Sequence, residues 1–111
     1  YRQNRPKDFS PQAMTELSGM YAEAHHAIVT ALDGFINDDP DKAREVAPIA
    51  GKLRGLEVEL RNRHIQRLDK QECDSETGLV YVDILGTIEH IGYHSNNVAK
   101  ATISTCAETK A

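Results

Sequence analysis

The sequence predicts an all-α fold, an antiparallel three-helix bundle spanning residues 1–111 as a single domain. Three observations carry this. Apolar residues recur at alternating spacings of three and four in three separate stretches, the pattern of helices with one buried face. Short polar segments join the stretches, which makes sequential helices antiparallel neighbours. No run of alternating apolar and polar residues persists long enough to make a strand. A chain of 111 residues can bury roughly two-thirds of its unfolded surface, enough for one core without staples. Aromatic residues make up only 5% and Trp is absent, so that core is aliphatic.

The first helix is the clearest. Ser10 is a good N-cap, and Pro11 stands at the first helical position, where a missing N–H costs nothing. Met14, Leu17, Tyr21, Ala24, Ile28, Ala31 and Phe35 then form a seam in strict 3-4 alternation. Asn37-Asp38-Asp39-Pro40 ends this helix and starts the next.

The second helix carries Val46, Ile49, Leu53, Leu56 and Leu60 in the same spacing, followed by Ile65 and Leu68. Pro48 lies inside the run and is expected to kink or split its early part. Gly51 and Gly55 weaken it further, by about 1 kcal/mol each against Ala, so residues 52–68 are the stronger half.

Residues 69–75 form a polar turn in which Asp74 or Ser75 can cap the third helix. Its seam is Tyr81, Ile84, Ile88, Ile91, Ser95, Val98 and Thr102, flanked by a second strip of Val82, Leu85, Gly92 and Ala99. So wide an apolar face belongs either to the most buried of the three helices or to one that also meets a second bundle.

Composition narrows the function classes. A net charge of −4 argues against a general nucleic-acid surface. No stretch approaches the roughly 18 apolar residues of a membrane span, and no secretory segment is visible. The chain opens at Tyr1 without an initiator Met and reads as a piece of a longer or processed protein. Cys73 and Cys106 flank the third helix at opposite ends, on the order of 50 Å apart at the helical rise, and read as free thiols of a reducing compartment.

Few residues point to chemistry. The basic run Arg61-Asn62-Arg63-His64-Ile65-Gln66-Arg67 could be an anion site. The better reading is a solvated face, with cations at a helix C-terminus and favourable i,i+4 pairs Glu57–Arg61 and Glu59–Arg63. A single Glu-x-x-His, Glu23 to His26, lacks the second copy and the inward carboxylates that a di-iron bundle needs. On the third helix Asp83, His90, His94 and Asn97 share one flank, with Glu89 and Tyr93 beside them on the outward face. His90 and His94 at i,i+4 could hold a metal ion, and His25 could approach them from the first helix. There is no phosphate-cradling glycine loop, no H-E-x-x-H and no nucleophile elbow, so the chain reads as a domain without catalysis of its own.

The residues from Leu56 to Leu68 (LEVELRNRHIQRL) resemble the end of the second helix in PhoU-like domains. The likeness continues through Cys73, Gly78 and Asp83 into residues 87–99 (TIEHIGYHSNNVA), which is similar to that family's LERIGDHAxNIA helix. It covers residues 52–101, and the variant it most resembles is the C-terminal cytoplasmic domain of bacterial sodium–phosphate cotransporters. The resemblance implies a three-helix bundle that regulates phosphate uptake on the cytoplasmic side of the inner membrane. Its partner would be the membrane domain of a parent transporter.

The family also binds metal through E/D-x-x-x-D motifs. Here Glu89 matches the first position, Tyr93 replaces the second carboxylate, and Ala50 and Arg54 stand at the corresponding positions of the second helix. No cofactor is therefore expected on the leading reading. The alternative is a metal-binding sensor bundle holding one divalent ion through Glu89, His90 and His94. Gly86, Gly92 and Tyr93 would make the same strip flat and weakly charged, suited to pairing two copies of the domain into a homodimer.

Overall fold

The computed structural model describes residues 9–69 and 75–110. Those residues form three long helices and one short one, with no strand among them: α1 (Pro11–Ile36), α2 (Pro40–Arg44), α3 (Val46–Asp69) and α4 (Ser75–Lys110). The expected all-α bundle is present, with α4 packed against α1, α2 and α3. That shared role accounts for its wide apolar face. Tyr81, Leu85, Ile88, Ser95 and Ala99 of α4 are all buried.

The α1 start is as its residues dictate. The Ala13 backbone N–H donates to the Ser10 hydroxyl at 3.1 Å, and Pro11 occupies the first turn. At the other end the chain closes through Asp38, whose φ of 51° lies in the left-handed region. The Asp39 N–H reaches the Gly34 carbonyl at 2.8 Å and the Asp38 N–H reaches the Phe35 carbonyl at 3.4 Å. This is the Schellman arrangement, with Asp in the place glycine usually takes. The Asp39 carboxylate then accepts from the N–H groups of Asp41 and Lys42, both at 3.1 Å, and starts α2. The corner is tight. A Cβ on Gly34 would stand 3.0 Å from the Ala43 nitrogen and 3.2 Å from the Asp39 carbonyl oxygen.

The second predicted helix is divided, but not at Pro48. The break falls at Glu45, and Pro48 is the third residue of α3. A proline ring clashes with the carbonyl four residues back, which here is Arg44, the last residue of α2. Within the first turn of α3 its missing N–H leaves nothing further unmade. Gly51 and Gly55 lie within α3 without interrupting it. The expected cap at Asp74 and the expected placement of Cys73 fall outside the described residues.

The largest departure from the sequence expectation concerns α1. Its buried residues are Ala13, Leu17, Met20, Ala24, Ala27, Ala31 and Gly34, with Thr30. Leu17, Ala24 and Ala31 belong to the predicted seam, but Met14, Tyr21, Ile28 and Phe35 are exposed. The face is turned by a fraction of a residue toward small side chains. Four alanines and a glycine let α1 lie close to its neighbours, and close approach increases the number of dispersion contacts each core atom makes. Two clusters result. One is built on Leu17, Met20, Leu53, Tyr81 and Leu85, and the other on Ala31, Ala43, Val46 and Ala99 beside α2.

Candidate functional site

Three places carry side chains beyond what packing requires. The first is the outward strip of α4. His90 and His94 stand with ring centroids 5.6 Å apart, and Tyr93 lies 6.2 Å from the former and 5.4 Å from the latter. Glu89 is half-buried to one side. His25 stacks with Tyr21 of its own helix. Among the described residues no group of three or more His, Cys, Asp and Glu is gathered closely enough to hold a metal ion. The His90–His94 pair could offer two ligands from one helix, and the remaining ligands would have to come from outside these residues.

The three residues expected to share one flat strip are separated. Tyr93 is exposed and Gly86 is half-buried, with a shallow hollow around it lined by Val82, Asp83, Thr87 and His90. Gly92 lies inside the bundle instead. A Cβ there would stand 2.5 Å from the Leu53 Cδ1 of α3, so Gly92 serves the contact between α3 and α4 and offers nothing to a second molecule.

The second place is a buried polar knot where the start of α1 meets the end of α3 and the start of α4. The Tyr81 hydroxyl donates to the Glu16 carboxylate at 2.7 Å. Arg67 donates to both carboxylate oxygens, at 3.1 and 3.4 Å, and its guanidinium lies over the Tyr81 ring, 5.5 Å from the centroid. Arg63 adds a longer contact at 3.5 Å and also pairs with Glu59. The His64 ring packs against Tyr81 with centroids 4.9 Å apart, and Phe9 meets Tyr81 edge-on at 5.9 Å. The Glu16 and Arg67 side chains are only 7% and 12% exposed, so the pair is largely removed from water.

This corrects the reading of the basic run as a uniformly solvated face. Arg61 and Arg63 behave as expected and pair with Glu57 and Glu59 one turn back. His64 and Arg67, at i,i+3, turn inward. The sequence signal that could have located them is the continuation of the α3 seam: Leu53, Glu57, Leu60 and His64 follow the same 3-4 spacing.

The electrostatics of the knot are those of a lock. Burial works to raise the Glu16 carboxyl, but the Tyr81 hydrogen bond and the Arg67 charge outweigh it and hold it below the ordinary carboxylate value. Burial pushes the His64 imidazole down, and the Arg67 charge adds to this against the opposing hydrogen bond to the Gly78 backbone. Burial and the Glu16 carboxylate push the Tyr81 phenol well above its usual range, so it stays a donor and is not poised as a nucleophile.

Both acid-side shifts act in the same direction. A carboxylate and an imidazole with depressed folded values contribute stability above their unfolded values, and that contribution falls away below them. The His64 contribution is expected to decline as pH drops below 6.5, and the Glu16 contribution as pH drops below 4.5. Thermal melts from pH 7 down to about pH 2 should therefore show a two-stage loss of Tm. A flat profile would mean that the knot does not couple to folding.

The third place is the exposed side of α1. Tyr21, Ile28, Val29, Leu32, Phe35 and Ile36 project there, with Phe35 58% and Ile36 72% exposed. They lie on one face of the helix, the one left outside by the turn of its buried seam. No helix of the described residues is long and apolar enough to cross a membrane.

Comparison with known proteins places these elements in a family context. The family model described as the PhoU domain matches residues 17–102, from the second turn of α1 to the last third of α4. A curated relative, the "Phosphate-specific transport system accessory protein PhoU homolog 1" of Thermotoga maritima, is 24% identical over 92 residues. That alignment takes in 83% of this chain and 40% of the relative, so the chain spans less than half the length of the protein it matches. No solved structure matches it.

Proposed function

The chain belongs to the PhoU domain family, and on that premise we propose that it is a regulatory or interaction domain of phosphate uptake with no catalysis of its own. The observation that carries this reading is the extent of the family match, residues 17–102, which spans all of α3 and most of α1 and α4. The name of the Thermotoga relative, an accessory protein of phosphate-specific transport, supports the link to uptake. The buried knot supports the non-catalytic part, since its groups are enclosed and engaged with one another: Glu16 with Arg67 and Tyr81, Tyr81 as a hydrogen-bond donor, and His64 buried against the Tyr81 ring.

The narrower form of the proposal is a cytoplasmic domain attached to a sodium–phosphate cotransporter, with the transporter's membrane domain as its partner. What supports it is the run from Leu56 through Cys73 to Ala99 described above. The test is in-frame removal of residues 9–110 from the chromosomal gene of the host. Uptake of labelled phosphate is then followed in phosphate-replete and phosphate-starved cells, with and without sodium. The proposal expects replete cells to lose several-fold repression of uptake, and the narrower form expects the altered component to require sodium. Identical uptake in parent and deleted strains would overturn the regulatory reading. A sodium-independent change would retain it and remove the cotransporter.

A further inference from the structure

The exposed face of α1 is built to be covered. It holds Tyr21, Ile28, Val29, Leu32, Phe35 and Ile36 over four turns, and together they expose roughly 600 Å² of mostly apolar side chain, at the upper end of what a lone monomer carries. The helix contains no Lys or Arg, and Glu16 and Glu23 are engaged elsewhere, with Arg67 and Lys52. Between Tyr21 and Ile36 the face therefore carries no charge except what His25 can supply from its centre.

We propose that this face pairs with the same face of a second copy of the chain, α1 against α1, antiparallel about a two-fold axis near Val29. Three features favour a second copy as the occupant. Its area approaches the ~800 Å² per partner of a standard interface once a rim is added. A nearly chargeless surface meets itself without like-charge repulsion, and an isologous contact needs only self-complementarity. The rim supplies that complementarity, because His26 and Asp33 lie seven residues apart on the same edge, symmetric about the centre. Antiparallel pairing sets the Asp33 carboxylate of each copy opposite the His26 imidazole of the other. Parallel pairing would put these two edges on opposite sides of the contact, where His26 and Asp33 do not meet. The inference rests on the α1 surface and not on the phosphate reading. It also moves the self-pairing surface away from the Gly86–Tyr93 strip, where Gly92 is enclosed.

The test is sedimentation equilibrium of the 111-residue chain from about 5 to about 500 µM, a range spanning micromolar to submillimolar Kd. The wild-type chain is expected to dimerise within it. Leu32→Glu, at an exposed helical position, is expected to weaken the dimer at least tenfold while far-UV helicity is unchanged. Tyr93→Glu, on α4, is expected to leave it intact. A monomer throughout the range for the wild type would overturn the proposal, as would a dimer insensitive to Leu32→Glu or one dissociated by Tyr93→Glu. Asp33→His would set an imidazole against the His26 imidazole of the other copy and is expected to weaken the dimer; exchange of the two residues, His26→Asp with Asp33→His, should restore it. Failure of the exchange to restore pairing would overturn the antiparallel arrangement.

Discussion

Replacing Glu16 with alanine is expected to lower the stability of the fold by about 3 kcal/mol, because it strands two buried partners at once. Arg67 is 12% exposed at its side chain and would lose both carboxylate contacts, and the buried Tyr81 hydroxyl would lose the acceptor it holds at 2.7 Å. Partial access of water to Arg63 keeps the loss at the low end of the range for broken buried pairs. For a chain of this size the change corresponds to a fall in Tm on the order of 10 °C. Glu16→Gln keeps an acceptor for Tyr81 but removes the charge opposite Arg67, and is expected to cost about half as much. A double-mutant cycle of Glu16→Ala with Arg67→Ala isolates the pair, and an interaction energy near zero would show that the two contribute independently.

The contact between Leu53 and Gly92 gives the second large effect. Leu53 is fully buried on α3, and Leu53→Ala is expected to cost about 3–4 kcal/mol through lost burial and the cavity left behind. Gly92→Ala introduces a Cβ only 2.5 Å from the Leu53 Cδ1. The leucine must leave its rotamer in a packed core, at about 1–3 kcal/mol, against which alanine recovers up to about 1 kcal/mol of helix propensity. The double variant is expected to be more stable than the sum of the two by about 1–2 kcal/mol, since the new methyl group occupies space the leucine vacated. Denaturant titration of all four proteins measures this, and simple additivity would mean that α3 and α4 separate to absorb the change.

These two sites show what could be read in advance and what could not. Leu53 stood in the predicted seam of its helix, and Gly92 in the strip beside the seam of the next. The sequence did not reveal that they meet, because spacing along one helix says nothing about the height at which a neighbour crosses it. Glu16, Arg67 and His64 were hidden for a related reason. Each is polar, so a count of apolar positions passes over it, and Arg67 sits among basic residues whose neighbours are solvated. Burial of a charge becomes favourable only when its partner arrives from another helix, and Glu16 precedes Arg67 by 51 residues. The expected grouping of Gly86, Gly92 and Tyr93 failed on the same ground, since residues close in sequence on a helix can face opposite environments.

By itself the sequence determined the number of long helices, the Ser10 and Pro11 start, the Asn37–Pro40 corner, the pairing of Arg61 and Arg63 with carboxylates one turn back, and the family likeness. All of these are local, set by capping, by proline and by i,i+4 distance. Tertiary structure alone decided which side of α1 is inside. The sequence offers two overlapping 3-4 seams on that helix, one of large side chains and one largely of small ones, sharing Leu17, Ala24 and Ala31. Hydrophobicity alone favours the large seam. Close packing against α3 and α4 selects the small one, because alanines and a glycine let three helices approach without voids. The large residues so displaced, from Tyr21 to Ile36, become the exposed apolar surface of α1.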